Sequence, residues 1–287
     1  MDSINTVQAE TFLIGLHFLF FGGKIMETQN ILSQFYENYD EDNRLSSRYG
    51  MVEYLTTMRY IEKYLRPGMR ILEIGAATGR YSHALARQGF RVDAVELVEH
   101  NIEIFKQNTQ PGENITITQG NAKDLSAFED DTYDMTLILG PMYHLFTEED
   151  KLQALSEAIR VTKKGGIVFA AYCMGDASIV LYGFRQGQIH NIIDKCMLDP
   201  VTFETFSQPW DLFELHRKED IDALRNHFNV TQLHFIATDG YANHMRQTLA
   251  EMDEATFQLY LRYHFATCER ADLVGYSNHT LDIFRKD

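Results

Sequence analysis

Residues 72–81 read LEIGAATGRY, and the change of character along this stretch decides the fold. An apolar run over 70–74 halts at Gly75, small residues follow at Ala76, Ala77 and Gly79, and a helical pattern runs over 79–89 until Gly89 closes it. Strand, small-residue turn and helix in that order leave unpaired N–H groups at the helix start, where an anion can sit. Small side chains let the backbone approach a ligand closely. The turn therefore reads as a ligand loop, with Glu73 an acidic group beside it.

The same alternation continues on both sides. Residues 50–65 carry Met51, Tyr54, Leu55, Met58, Ile61 and Leu65 at three- and four-residue spacings, an amphipathic helix that Pro67 and Gly68 end. Strands are expected over 70–74, 92–97, 114–120, 135–139, 167–173, 230–237 and 280–284. Helices are expected around 101–108 and after Thr147, which with Asp150 opens a helix on Leu152, Leu155, Ile159 and Val161 that KKGG at 163–166 stops. Lys123 and Asp124 read as surface residues starting a helix. Strands this uniformly apolar, alternating with helices, predict an α/β fold with a parallel, doubly wound sheet, whose ligands bind past the strand carboxyl ends where strand order reverses.

After the second strand stands Glu96, 23 residues beyond Glu73 and placed to accept hydrogen bonds from both hydroxyls of a ribose. Alone it could be a solvated strand end; paired with the glycine turn it indicates a nucleoside-containing cofactor. A dinucleotide fingerprint would need a small residue at position 80, and Arg80 there disfavours a nicotinamide enzyme. The stretch instead resembles the first motif of class I S-adenosylmethionine-dependent methyltransferases, Glu/Asp-x-Gly-x-Gly-x-Gly, with Ala77 where the middle glycine is usual.

That resemblance extends in order over about residues 30–287. GNAKDL at 120–125 matches the adenine-binding loop, with Asn121 where Asp is commoner, and GPMYHL, RVTKKGG and GYSNHTLDIFRK look like a bacterial small-molecule subgroup. It implies a Rossmann-like, mostly parallel seven-stranded sheet with helical lid insertions near 176–215 and 241–275 on a domain spanning 67–287, preceded by a helical cap at 26–66. It implies S-adenosyl-L-methionine as cofactor, held by Glu73, Gly75, Ala77, Gly79, Glu96, Leu97, Asn121, Ala122, Leu139 and Gly140. The segment with Tyr36, Tyr39, Arg48 and Tyr49 would close over it, with Tyr49 in contact.

Residues 137–146, LILGPMYHLF, place Tyr143 and His144 just past the fourth strand, at the ligand end. His144 is a candidate general base for a phenol, alcohol or thiol acceptor; equally it can pack, cap the next helix or orient the cofactor. Tyr143 can hold substrate or cover a sulfonium by a cation–π contact, or simply fill core. Gly140 supplies no side-chain acceptor for an amine, which disfavours nucleobase amino-group chemistry. Both insertions are aromatic-rich, with Tyr182, Phe184, Phe203, Phe206, Trp210 and Phe213 in the first and Tyr241, His244, Tyr260 and Tyr263 in the second, as suits a pocket for a small, partly apolar substrate; singly, each can equally bury the face of a lid helix.

The composition limits partners. The 287 residues are 45% hydrophobic, enough for a sizeable core, and 41 acidic against 26 basic residues give a net charge of −15. Such a field repels nucleic acids and anionic membranes. Three widely spaced cysteines suit a reducing cytoplasm, no histidine spacing suggests a metal, and no Ser-His-Asp order or nucleophile elbow suggests a hydrolase. FLIGLHFLFF at 12–21 is too short to span a bilayer and lacks secretory-signal flanks; residues 1–25 read as a non-native extension ahead of Met26, with a peripheral membrane or partner-binding helix as the alternative. The sequence sets no oligomeric state. Two classes remain: a methyltransferase acting on a small molecule, and a non-catalytic cofactor-binding module.

Overall fold

The computed structural model describes residues 28–39 and 41–287; the expectation for residues 1–25 lies outside them. Eight strands form one sheet: β1 (Arg70–Ile74), β2 (Arg91–Glu96), β3 (Ile115–Gln119), β4 (Tyr133–Ile138), β5 (Thr162–Met174), β6 (Leu215–His216), β7 (Val230–Ala237) and β8 (His279–Lys286). Their order is β3-β2-β1-β4-β5-β8-β7, with β6 beside β5, and only β8 runs antiparallel to its neighbours. Strand order reverses between β1 and β4, which fixes where a ligand crevice opens. The expected seven strands are present and β6 is the addition, two residues long and too short to show any periodicity in sequence.

The helices relevant to the site are α1 (Thr28–Glu37), α2 (Glu41–Arg44), α3 (Arg48–Tyr64), α4 (Arg80–Arg87), α5 (Glu99–Asn108) and α6 (Glu148–Val161). Ser47 caps α3 by accepting from Gly50 N at 3.2 Å, and Thr147 caps α6 by accepting from Asp150 N at 3.1 Å, each worth about 1 kcal/mol. KKGG does not stop α6. The helix ends at Val161, and 163–166 already run in β5, where Gly165 takes φ +78°.

Both faces of the sheet are covered. Leu72, Ile74, Ile138 and Val168 pack against α6 residues Ala154, Leu155 and Val161, all fully buried, while Ile71, Leu137, Phe169 and Ile283 pack against Ile61 and Leu85 on the other face. Fully burying one such side chain stabilises by roughly 2 kcal/mol. Two sets of elements then cover the carboxyl end. The first is α1, joined to the sheet through a cluster of Leu32, Val98 and Leu212. The second is the segment after β7, where Ala242, Leu249, Phe257 and Leu261 pack on Val52 of α3.

Candidate active site

A cavity of about 240 Å³ opens at the carboxyl ends of β1, β2 and β4. Glu73, Gly75 and Ala77 reach it from the first turn, Glu96 and Leu97 from the end of β2, Asn121 and Ala122 from the turn after β3, and Leu139, Gly140, Tyr143 and His144 from the turn after β4. Four sequence-separated turns thus converge because a parallel sheet puts every strand's carboxyl end on one side.

Gly75 has φ +73°, and a Cβ there would lie 2.6 Å from Cδ of Pro141, so the first turn and the GPMYHL turn are pressed together at a point that admits no side chain. Ala77 has φ +47°, a left-handed conformation that costs a residue with a Cβ about 1 kcal/mol. Gly79 differs from expectation. Its Cβ would meet Phe105 at 2.5 Å, so it serves the packing of α4 on α5 and does not line the cavity. Tyr49 differs too: its ring lies 4.5 Å beneath the guanidinium of Arg246 and lines the neighbouring cavity described below. Lys123 and Asp124 start no helix; residues 121–124 form a turn in which Lys123 N donates to Asn121 Oδ1 at 3.0 Å and Lys123 pairs with Asp150 at 2.7 Å.

Glu96 ties the site together. One carboxylate oxygen accepts from Ala77 N at 2.8 Å and the other from Val98 N at 2.9 Å, holding the glycine turn to the end of β2. The oxygen bonded to Val98 also accepts from Asn101 Nδ2 at 3.4 Å, while the one bonded to Ala77 keeps a further lone pair for a ligand hydroxyl. Burial raises its pKa against these hydrogen bonds. Glu73 is more deeply buried, at 2% exposure, and burial pushes its pKa up to about 8 although Ser82 donates to it. An arriving cation would favour its ionised form.

His144 has both ring nitrogens engaged. Nδ1 lies 2.8 Å from the carbonyl of Leu212, which can only accept, so Nδ1 carries the proton and Nε2 accepts from the Tyr36 hydroxyl at 3.0 Å. Burial pushes its pKa down to about 4, leaving it neutral at pH 7. The Tyr143 hydroxyl donates to the carbonyl of Leu139 at 3.0 Å.

A second cavity, of about 130 Å³, adjoins the first, and Tyr36, Glu41, Arg44 and Tyr143 line both. Behind that wall lies an ion network. Arg44 pairs with Glu41 and Glu53 at 2.9 Å each, and His279 Nδ1 lies 3.6 Å from Glu53 and 2.8 Å from Asp239. Asp239, 1% exposed, accepts from Ser277 Oγ, Asn278 N and His279 N on one oxygen and from Asn243 Nδ2 and His279 Nδ1 on the other. Burial alone would lower the His279 pKa, but Glu53, Cys173 and Asp239 hold it well above the ordinary value, so the ring is an imidazolium. Glu53, Asp239 and His279 offer atoms within 4.8 Å of one another, the spacing of a cation site. Arg44 and the donors on Asp239 already occupy these carboxylates, and the cluster is an ion network closed on itself. Glu53, Asp239 and His279 are far apart in the chain and share no spacing by which a sequence motif could reveal them.

A reversed parallel sheet with a glycine turn after β1 and an acidic residue closing β2 defines a nucleoside-cofactor fold of the methyltransferase class. Residues 71–166, a third of the chain, match the family described as "Methyltransferase domain". A demethylmenaquinone methyltransferase of Staphylococcus aureus (strain MRSA252) is 31% identical over 125 residues, 42% of this chain and 49% of that protein. An S-adenosyl-L-methionine-dependent Diels-Alderase of Talaromyces variabilis is 31% identical over 106 residues, 36% of this chain and 35% of that protein. The alignments thus span about half or less of these curated relatives. A solved S-adenosylmethionine-dependent methyltransferase from Methanosarcina mazei shares the fold at a TM-score of 0.52 and 18% identity, over 79% of this chain and 96% of its own.

Proposed function

We propose that the chain transfers a methyl group from S-adenosyl-L-methionine, held in the larger cavity, to a small molecule held in the smaller one. The observation that carries this reading is the wall common to both cavities, formed by Tyr36, Glu41, Arg44 and Tyr143. The family implies the cofactor, and the close approach at Gly75, the hydroxyl-accepting Glu96 and the buried carboxyl of Glu73 suit its glycyl contact, ribose and ammonium. Leu97, Asn121 and Ala122 would flank its adenine, and Leu139 and Gly140 its methionine end.

A bound sulfonium supplies an activated methyl, so the protein's contribution is to position two partners and exclude water. Tyr143 and Tyr36 stand between the two cavities. His144, neutral and accepting from Tyr36, fixes the direction of that hydroxyl and can take its proton if an acceptor hydroxyl passes one on. A pKa near 4 makes His144 a weak base at rest, so orientation is its larger contribution.

Among the described residues no helix is long and apolar enough to cross a membrane. The net charge of −15 points to small-molecule rather than nucleic-acid acceptors. The rival reading is a protein that binds the cofactor without transferring its methyl, favoured by the relative whose name describes a cofactor-dependent Diels-Alderase. Incubation with methyl-labelled S-adenosyl-L-methionine and pooled small molecules separates them. Formation of S-adenosylhomocysteine with label in a product supports transfer; cofactor binding with no demethylated product from any pool rejects it. His144→Gln and His144→Ala should lower transfer more than cofactor affinity, and equal losses in both would remove His144 from the chemistry.

A further inference from the structure

Arg246, in the segment after β7, faces the smaller cavity with its guanidinium stacked on the Tyr49 ring at 4.5 Å. Its Nε and Nη2 donate to Asn243 Oδ1, at 2.9 and 2.5 Å. No carboxylate among the described residues forms an ion pair with it, whereas Arg44 is matched by Glu41 and Glu53, and His279 by Asp239. Asn243 in turn is fixed by Asp239, and Tyr182 also hydrogen-bonds the guanidinium, so its partners among the described residues are neutral and aromatic groups. The two carboxylates in the lining, Glu41 and Glu53, are paired with Arg44, so in a chain of net charge −15 a cation with no carboxylate partner among the described residues asks for an anion.

The rest of the cavity fits the same ligand. Its volume of about 130 Å³ is close to that of cavities that hold one benzene ring, roughly 150 Å³. Tyr143, Tyr182 and Phe213 supply ring faces and edges. His279 spends Nδ1 on Asp239 and has no hydrogen-bond partner at Nε2 among the described residues, so this charged ring offers a second donor.

We propose that the smaller cavity is the acceptor site and takes a single-ring molecule bearing a carboxylate, which pairs with Arg246 while His279, held by Asp239, donates to it. This rests on the methyl-transfer reading above, and goes beyond it by naming the acceptor's charge and size.

The test is calorimetric and needs no turnover. Protein loaded with S-adenosylhomocysteine is titrated with benzoate, phenylacetate and 4-hydroxybenzoate, and with the amide of each. Carboxylates should bind at least 10-fold more tightly than their amides. Arg246→Gln should reduce that preference to about 2-fold or less, and Arg246→Lys should keep part of it, with S-adenosylhomocysteine affinity and unfolding temperature unchanged in both. Equal binding of acid and amide, a preference that survives in Arg246→Gln, or no binding by any member of the set would overturn the proposal. Failure to bind S-adenosylhomocysteine would count against the methyl-transfer reading instead, and the same titrations on the free protein would still report the anion preference.

Discussion

Most of the larger cavity is built from turns within residues 73–144 that directly follow strands of the sheet, closed over by Leu32, Tyr36, Glu41 and Arg44, whereas the smaller one joins Tyr36, Glu53, Arg246 and His279, which no regular spacing connects. The first is a consequence of sheet topology: once the strands are parallel, their carboxyl ends converge and the turn residues follow. The second depends on three separate segments, α1 to α3, the insertion after β5 and the segment after β7, settling on the sheet together. Apart from Arg246, its charges are matched across those segments, so the ion network is part of what holds its walls. Cofactor binding and acceptor binding should therefore respond to different substitutions.

The largest expected effect lies in the network. Asp239→Ala leaves an imidazolium and several buried donors without their acceptor and should cost about 3–5 kcal/mol in chemical denaturation, yet leave S-adenosylhomocysteine affinity within about 3-fold once the protein is folded. An equal collapse of cofactor binding in the folded protein would show the two cavities to be one unit. Glu96→Gln tests the other side. It should weaken S-adenosyl-L-methionine about 10- to 100-fold by calorimetry, with little change in anion binding next door.

A third test uses pH. His216, on β6 and 2% exposed, is held neutral by burial, with Lys151 adding to the effect, and its pKa is about 3. The unfolded ring titrates near 6.5, so below that pH the unfolded chain binds a proton that the folded one refuses, and stability falls as pH drops from about 6.5 toward 3. Wild type should lose on the order of 2 kcal/mol more than His216→Gln between pH 7 and pH 4.5, read from denaturation midpoints. Equal pH slopes would mean that the ring finds a hydrogen-bond acceptor in solution. The smallest effect belongs to Ala77→Gly, which relieves a left-handed alanine at the price of a more flexible unfolded chain; a net gain of about 0.5 kcal/mol, or 1–2 °C in Tm, is expected.

Legibility followed the same division. Strand β1 falls where the sequence places it, and Thr147 caps α6 as its position before Asp150 suggests. Glu73, Gly75, Ala77, Glu96, Leu97, Asn121, Ala122, Leu139, Gly140, Tyr143 and His144 all reach the larger cavity. Gly79 and Tyr49 do not, for a reason that motif spacing cannot carry: which way a backbone position faces depends on Phe105 in one case and on Arg246 in the other. The engagement of both His144 nitrogens was equally out of reach, because its partners, Leu212 and Tyr36, are 68 and 108 residues away.

The sequence by itself determined the strand–turn–helix alternation, the glycine turn and the acidic end of β2, because apolar periodicity and small-residue turns act over a few residues and need no distant partner. Only the tertiary structure decided which residues share the smaller cavity, that His279 is a cation held by Asp239, and that Arg246 has no carboxylate among the described residues. Those properties arise from burial and from charges brought together across the fold, and neither exists until the chain has closed on itself.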